Sequence, residues 1–178
     1  MNNIASTGKR IAMMTANGFN EAEFIALQKA IMAQQAQARI ISSHNGLVYS
    51  DPKTGNGISY AADSQLSETL AIDYDCLIVV GGSEHIDTLT EEPHAIRLMR
   101  AFLRESMPIL LVSEASKLLD VIGDTRFASD TSSDKNFVQS DCVLWSIDGS
   151  GLSSVFKGLF EIVSARQLKQ DADNGVAA

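Results

Sequence analysis

Ser113 and Glu114 stand where the apolar run Ile109–Val112 ends, and they are the first residues to ask for chemistry. A short apolar run without helical period marks a buried parallel strand. In open α/β sheets, ligands and catalysis gather at the carboxyl ends of such strands. A serine on a tight strand-to-helix turn exposes its hydroxyl, but it carries no alkoxide at neutral pH and needs an adjacent base to attack a substrate. Glu114, next in sequence, points elsewhere at such a turn, and a carboxylate is a poor base toward an alcohol. His85 follows Gly81-Gly82-Ser83-Glu84 after a second apolar run, Cys76–Val80. From that loop it can face Ser113 across the sheet edge, and with Glu23 or Glu84 to orient it the parts of a serine triad are present. The plainer reading is an exposed loop histidine beside a small residue tolerated at a turn.

Glu23 lies in the first turn of the helix that follows the first strand, where a carboxylate suits the positive end of the helix dipole. Gly81 and Gly82 offer backbone amides that can approach an anion or oxyanion, although a tight turn without any ligand has the same sequence. No Gly-x-Gly-x-x-Gly follows the first strand, so this is not a dinucleotide fingerprint. Glu23, His85 and Glu114 lack tight ligand spacing, and the chain has 3 histidines. Neither a metal nor any other cofactor is expected. Cys76 sits inside its apolar run as a small hydrophobe, Cys142 follows the wetter Ser140-Asp141, and Met13-Met14 reads as core filler.

The elements that must position these residues follow a strand–helix alternation. Arg10–Ala16 reads as a strand, and Asn20 as the cap of a helix carrying Phe24, Leu27 and Ile31 on one face. Ala38–Ser43 is the next strand, which makes the first unit a parallel crossover. Leu47–Tyr49 and Ile58–Ala61 form a small hairpin around the turns at Lys53–Gly57. Pro93 opens a helix lined by Ile96, Met99, Phe102 and Leu103, and a short helix follows Ser113. Asn136–Val138 and Cys142–Trp145 are the last strands, and Gly151–Leu168 is the last helix, with Leu152, Val155, Phe156, Leu159 and Val163 on one face.

Composition narrows the partners. The chain has 178 residues, 45% hydrophobic and 20% charged, which suits one globular domain. With 14 basic against 22 acidic side chains the net charge is −8, and no basic cluster offers counterion release, so nucleic acid is not expected. No apolar run approaches the roughly 20 residues of a membrane helix. The polar start and two isolated cysteines are read as cytoplasmic.

Three segments, Thr15–Glu23, Tyr74–Gly82 and Pro108–Ala115, resemble in order and spacing the ThiJ/PfpI superfamily, over roughly residues 9–165. The resemblance implies a flavodoxin-like, glutamine-amidotransferase-like fold. Active members of that superfamily carry Cys-His-Gly at the elbow after the strand, with the cysteine as nucleophile and a glutamate from the first helix beside it. Here the elbow reads Ser113-Glu114-Ala115, and Glu23 matches the glutamate. It further implies that Glu23 is buried beneath the elbow with its pKa raised by desolvation, taking the Ser113 hydroxyl proton in a satisfied polar pair. An elbow without cysteine is similar to that of the C-terminal domain of large-subunit catalases, an appendage with no demonstrated reaction of its own. That likeness extends to Leu47–Ala62.

The expectation is therefore a flavodoxin-like three-layer α/β sandwich with a mostly parallel sheet, one domain over residues 9–168 between flexible segments 1–8 and 169–178. Its expected role is non-catalytic, through homodimer formation, partner contact or small-ligand binding. The alternative is an enzyme: a hydrolase using Ser113, His85 and Glu23, or a glyoxalase or deglycase in which Glu23 moves a proton on a small aldehyde. A third reading has Gly81, Gly82 and Glu114 holding a small-molecule anion.

Overall fold

The computed structural model describes residues 8–128 and 136–175. The first seven and last three residues of the expected flexible ends lie outside the described residues. Nine strands are described: β1 (Arg10–Thr15), β2 (Gln37–Ser42), β3 (Leu47–Tyr49), β4 (Ser59–Ala61), β5 (Ser64–Gln65), β6 (Cys76–Val79), β7 (Ile109–Val112), β8 (Phe137–Ser140) and β9 (Val143–Ser146). The helices are α1 (Glu21–Ala33), α2 (Ser83–Glu91), α3 (Pro93–Arg104), α4 (Lys117–Val121) and α5 (Leu152–Gly175).

Seven strands form one sheet in the order β5-β2-β1-β6-β7-β9-β8. All neighbours run parallel except β8, which returns antiparallel on β9. β3 and β4 pair antiparallel as a separate hairpin. The period-2 geometry of a strand explains why the central ones are apolar at every position. In β1, Ala12 and Met14 face one layer, which also holds Ile86 and Leu89 of α2 and Leu98 and Phe102 of α3. Ile11 and Met13 face the other, with Leu27 and Ile31 of α1 and Phe156 and Leu159 of α5. Each such side chain contributes roughly 1.5–3 kcal/mol when fully buried. The three-layer expectation is met.

The chain leaves β1 for β2 on one side and returns to β6 on the other, so the direction reverses between β1 and β6. That reversal makes the carboxyl ends of β1 and β6, beside β7, a topological switch point, where ligands of such folds sit. Three elements differ from the sequence expectation. The Gly81-Gly82 segment leads directly into α2, whose buried face is His85, Ile86 and Leu89. A 3-10 turn, Ser113–Ser116, precedes α4. The last helix also runs past Leu168 to Gly175.

Candidate functional site

The elbow is built by backbone strain. Ser113 leaves β7 with φ of 50°, in the left-handed region that costs an L-residue about 1–2 kcal/mol. The surroundings hold it there: the Trp145 indole Nε1–H donates to the Ser113 carbonyl at 3.0 Å. The hydroxyl then points at α1. Asn20 caps that helix by accepting from the Glu23 amide at 3.1 Å, which fixes the first turn and sets Glu23 inward.

Glu23 is 7% exposed. Its Oε1 accepts from the Ser113 hydroxyl at 2.8 Å and its Oε2 from the Gly81 amide at 2.9 Å. Burial raises its pKa above the ordinary glutamate value; the Gly81 and Ser113 hydrogen bonds oppose that rise, and the nearby Glu114 charge adds to it. Both oxygens accept, so Ser113 is the proton donor of the pair. A carboxylate is a weak base toward a serine hydroxyl.

Glu114 turns back over the same loop. Its Oε2 accepts from the Gly82 amide at 3.2 Å. The two glycine amides expected to receive a ligand are thus taken by the chain's own carboxylates. The packing is close: a Cβ at Gly81 would lie 2.5 Å from Glu114 Oε2 and 2.9 Å from Glu23 Oε2. Gly149, in the loop after β9, closes the other side. With φ of 73°, its own Cβ position would lie 2.6 Å from Glu23 Oε1 and 3.2 Å from Ser113 Oγ.

His85 is placed differently from both sequence readings. It is completely buried, not exposed, on the core face of α2. The Ala16 amide donates to its Nδ1 at 2.8 Å, and its Nε2–H donates to the Val80 carbonyl, 3.1 Å away. This tautomer uses both ring nitrogens on the backbone, so neither is left to take a proton from Ser113. Burial pushes the pKa down to about 4, keeping the ring neutral. Its role is to tie the end of β1 to the end of β6. Glu84, the other orienting acid considered, is exposed at the start of α2, its Cβ close against Gly18.

The structure therefore brings together Glu23, Ser113, Glu114, Gly81 and Gly82, and removes His85 from the group. Gly149 and Trp145 are site residues that the sequence reading missed. Their signal was the Asp148-Gly149-Ser150-Gly151 turn, which ends the strand next to β7. Cys76 is fully buried on β6 with its thiol pKa pushed up by burial, unsuited to nucleophilic chemistry. Cys142, expected to be wetter, is also buried. Among the described residues no three His, Cys, Asp or Glu side chains converge to hold a metal ion. An open groove of about 830 Å3 lies away from the elbow, along α3 between Leu70, Ile72, Ile96 and Arg100. No histidine, cysteine or serine lines it. Among the described residues no helix is long and apolar enough to cross a membrane.

Comparison with known proteins agrees with this architecture. The sequence profile described as the DJ-1/PfpI family matches residues 9–135. No curated protein matches the chain. Solved structures with the same fold include a ThiJ/PfpI domain protein from Brachyspira murdochii, at 14% identity and a TM-score of 0.75, covering 89% of this chain and 98% of that one. DJ-1beta from Drosophila melanogaster matches at 16% identity and 0.74, covering 97% and 99%. A cysteine-to-alanine mutant of a DJ-1 superfamily protein from Salmonella typhimurium matches at 18% and 0.69, covering 91% and 97%.

Proposed function

The chain belongs to the DJ-1/PfpI family, and from that premise we propose that it is a non-catalytic member whose elbow serves structure and binding rather than turnover. One observation carries the reading: the Ser113 hydroxyl donates to Glu23, and no histidine stands behind it to take the proton. A serine nucleophile needs a partner that takes that proton at neutral pH and a free pair of amides for the developing oxyanion. His85 is occupied by backbone on both nitrogens, and Gly81 and Gly82 already donate to carboxylates. Glyoxalase-type chemistry on a small aldehyde would need Glu23 free to move a proton, whereas both of its oxygens are engaged. The absence of cysteine at the elbow supports a character close to the catalase C-terminal domain, whose work would be assembly. A homodimer remains part of this reading, as does a cytoplasmic location.

The test is turnover of methylglyoxal and of short p-nitrophenyl esters by the purified protein beside Ser113→Ala and Glu23→Gln. The expected result is the same background rate in all three. Activity in the wild type that either variant loses would make the elbow an enzyme site.

A further inference from the structure

Glu114 is the second carboxylate of the elbow loop. It reaches back to place Oε2 3.2 Å from the Gly82 amide. Gly82 is buried with φ of 126°, and its Cβ position lies 2.4 Å from the Gly18 carbonyl, so only glycine fits there. Its N–H is part-buried where Glu114 meets it, and a negative oxygen is a strong partner for such a donor. Glu23 occupies the neighbouring amide of Gly81 but is anchored on the other side by Ser113. Glu114 has no second hydrogen-bond partner among the described residues.

We propose that Glu114 is a tethered occupant of a carboxylate position on the Gly82 amide, and that it determines what the elbow cleft can hold. While it is seated, a small carboxylate meets an amide already in use and two like charges beside it, so the wild-type elbow excludes anions. This reverses the anion-binding expectation for Gly81, Gly82 and Glu114. Removing the side chain vacates the position for a free monocarboxylate, whose oxygen takes the same N–H. The proposal holds whether or not Ser113 turns anything over, since it concerns a backbone amide.

The test is a formate titration followed at the Gly82 amide by two-dimensional 15N–1H NMR, on the wild type, Glu114→Ala and Glu114→Gln. The expected result is a Gly82 resonance that moves in Glu114→Ala at concentrations that leave the wild type still. A charge-assisted hydrogen bond regained corresponds to on the order of ten- to a hundredfold tighter formate binding. Glu114→Gln keeps the shape and an acceptor but not the charge, and should fall between the two. It also serves as the folded control, its spectrum showing that the elbow is intact. Equal response of wild type and both variants, or a Gly82 amide that stays unmoved by formate in both variants, would overturn the proposal.

Discussion

Glu21 and Glu23 stand two residues apart in the first turn of α1, both buried, with their carboxyl groups driven in opposite directions. Glu21 is 2% exposed yet more acidic than usual, because the amides of Asn56, Gly57 and Ile58 and the Ser50 hydroxyl all donate to it. Glu23 is less acidic than usual, because burial outweighs its two donors and Glu114 adds a like charge. The balance between burial and the donors aimed at a carboxylate therefore decides its state. Glu21 anchors the Asp51–Ile58 loop to the helix. Glu23 holds the elbow at a cost to its own charged form.

The largest effect expected is from Glu21→Ala, which strands three backbone amides and a hydroxyl at once. It should lower the melting temperature more than any other substitution named here and release protection of the 56–58 amides in hydrogen exchange. A mild change confined to the helix would break the comparison. The sign with pH follows from the depressed value: Glu21 contributes stability above the ordinary carboxylate range, lost as pH falls through its folded pKa.

His85 sharpens the contrast as a group kept neutral by burial. The unfolded chain binds its proton near pH 6.5 and the folded chain only near 4. Between those values the unfolded state carries more protons, so stability falls as pH falls. At about 1.4 kcal/mol per unit, the loss approaches about 3 kcal/mol by pH 4. His85→Gln should flatten that part of the stability curve in urea denaturation at stepped pH.

A smaller effect is expected at the strained turn. Ser113→Gly removes the left-handed penalty that Ser113→Ala keeps, so the glycine variant should be the more stable of the two by about 1 kcal/mol. Smallest is Glu23→Gln, which removes a disfavoured charge and keeps a carbonyl acceptor. Its stability at neutral pH should lie within about 1 kcal/mol of wild type or above it, whereas Glu21→Gln should be plainly destabilised. Because its folded pKa is raised, Glu23 favours the folded state below the ordinary glutamate range, and that advantage is lost as pH rises through its folded value.

Much of this was legible from residue types. The apolar runs at Cys76–Val79 and Ile109–Val112 are strands buried on both faces, and Asn20 caps α1 as its side chain suggests. The Glu23–Ser113 pair followed from a family resemblance rather than from spacing. What was hidden had a physical reason in each case. α2 is short, with Ile86 and Leu89 its only large apolar residues, and its third core position is a histidine, so its periodicity does not register as helical. The burial of Glu21 is hidden because its four donors come from a loop about thirty residues on in sequence. Gly149 closes on the elbow only through the β7–β9 pairing, which brings distant segments side by side.

The central claim is that Ser113 is a hydrogen-bond donor and not a nucleophile. Incubation with a fluorophosphonate, which labels activated serines, followed by intact and peptide mass measurement, tests it most directly. The account predicts no adduct on Ser113 at concentrations that label a serine hydrolase fully. A stoichiometric adduct on the wild type that Ser113→Ala abolishes would contradict it.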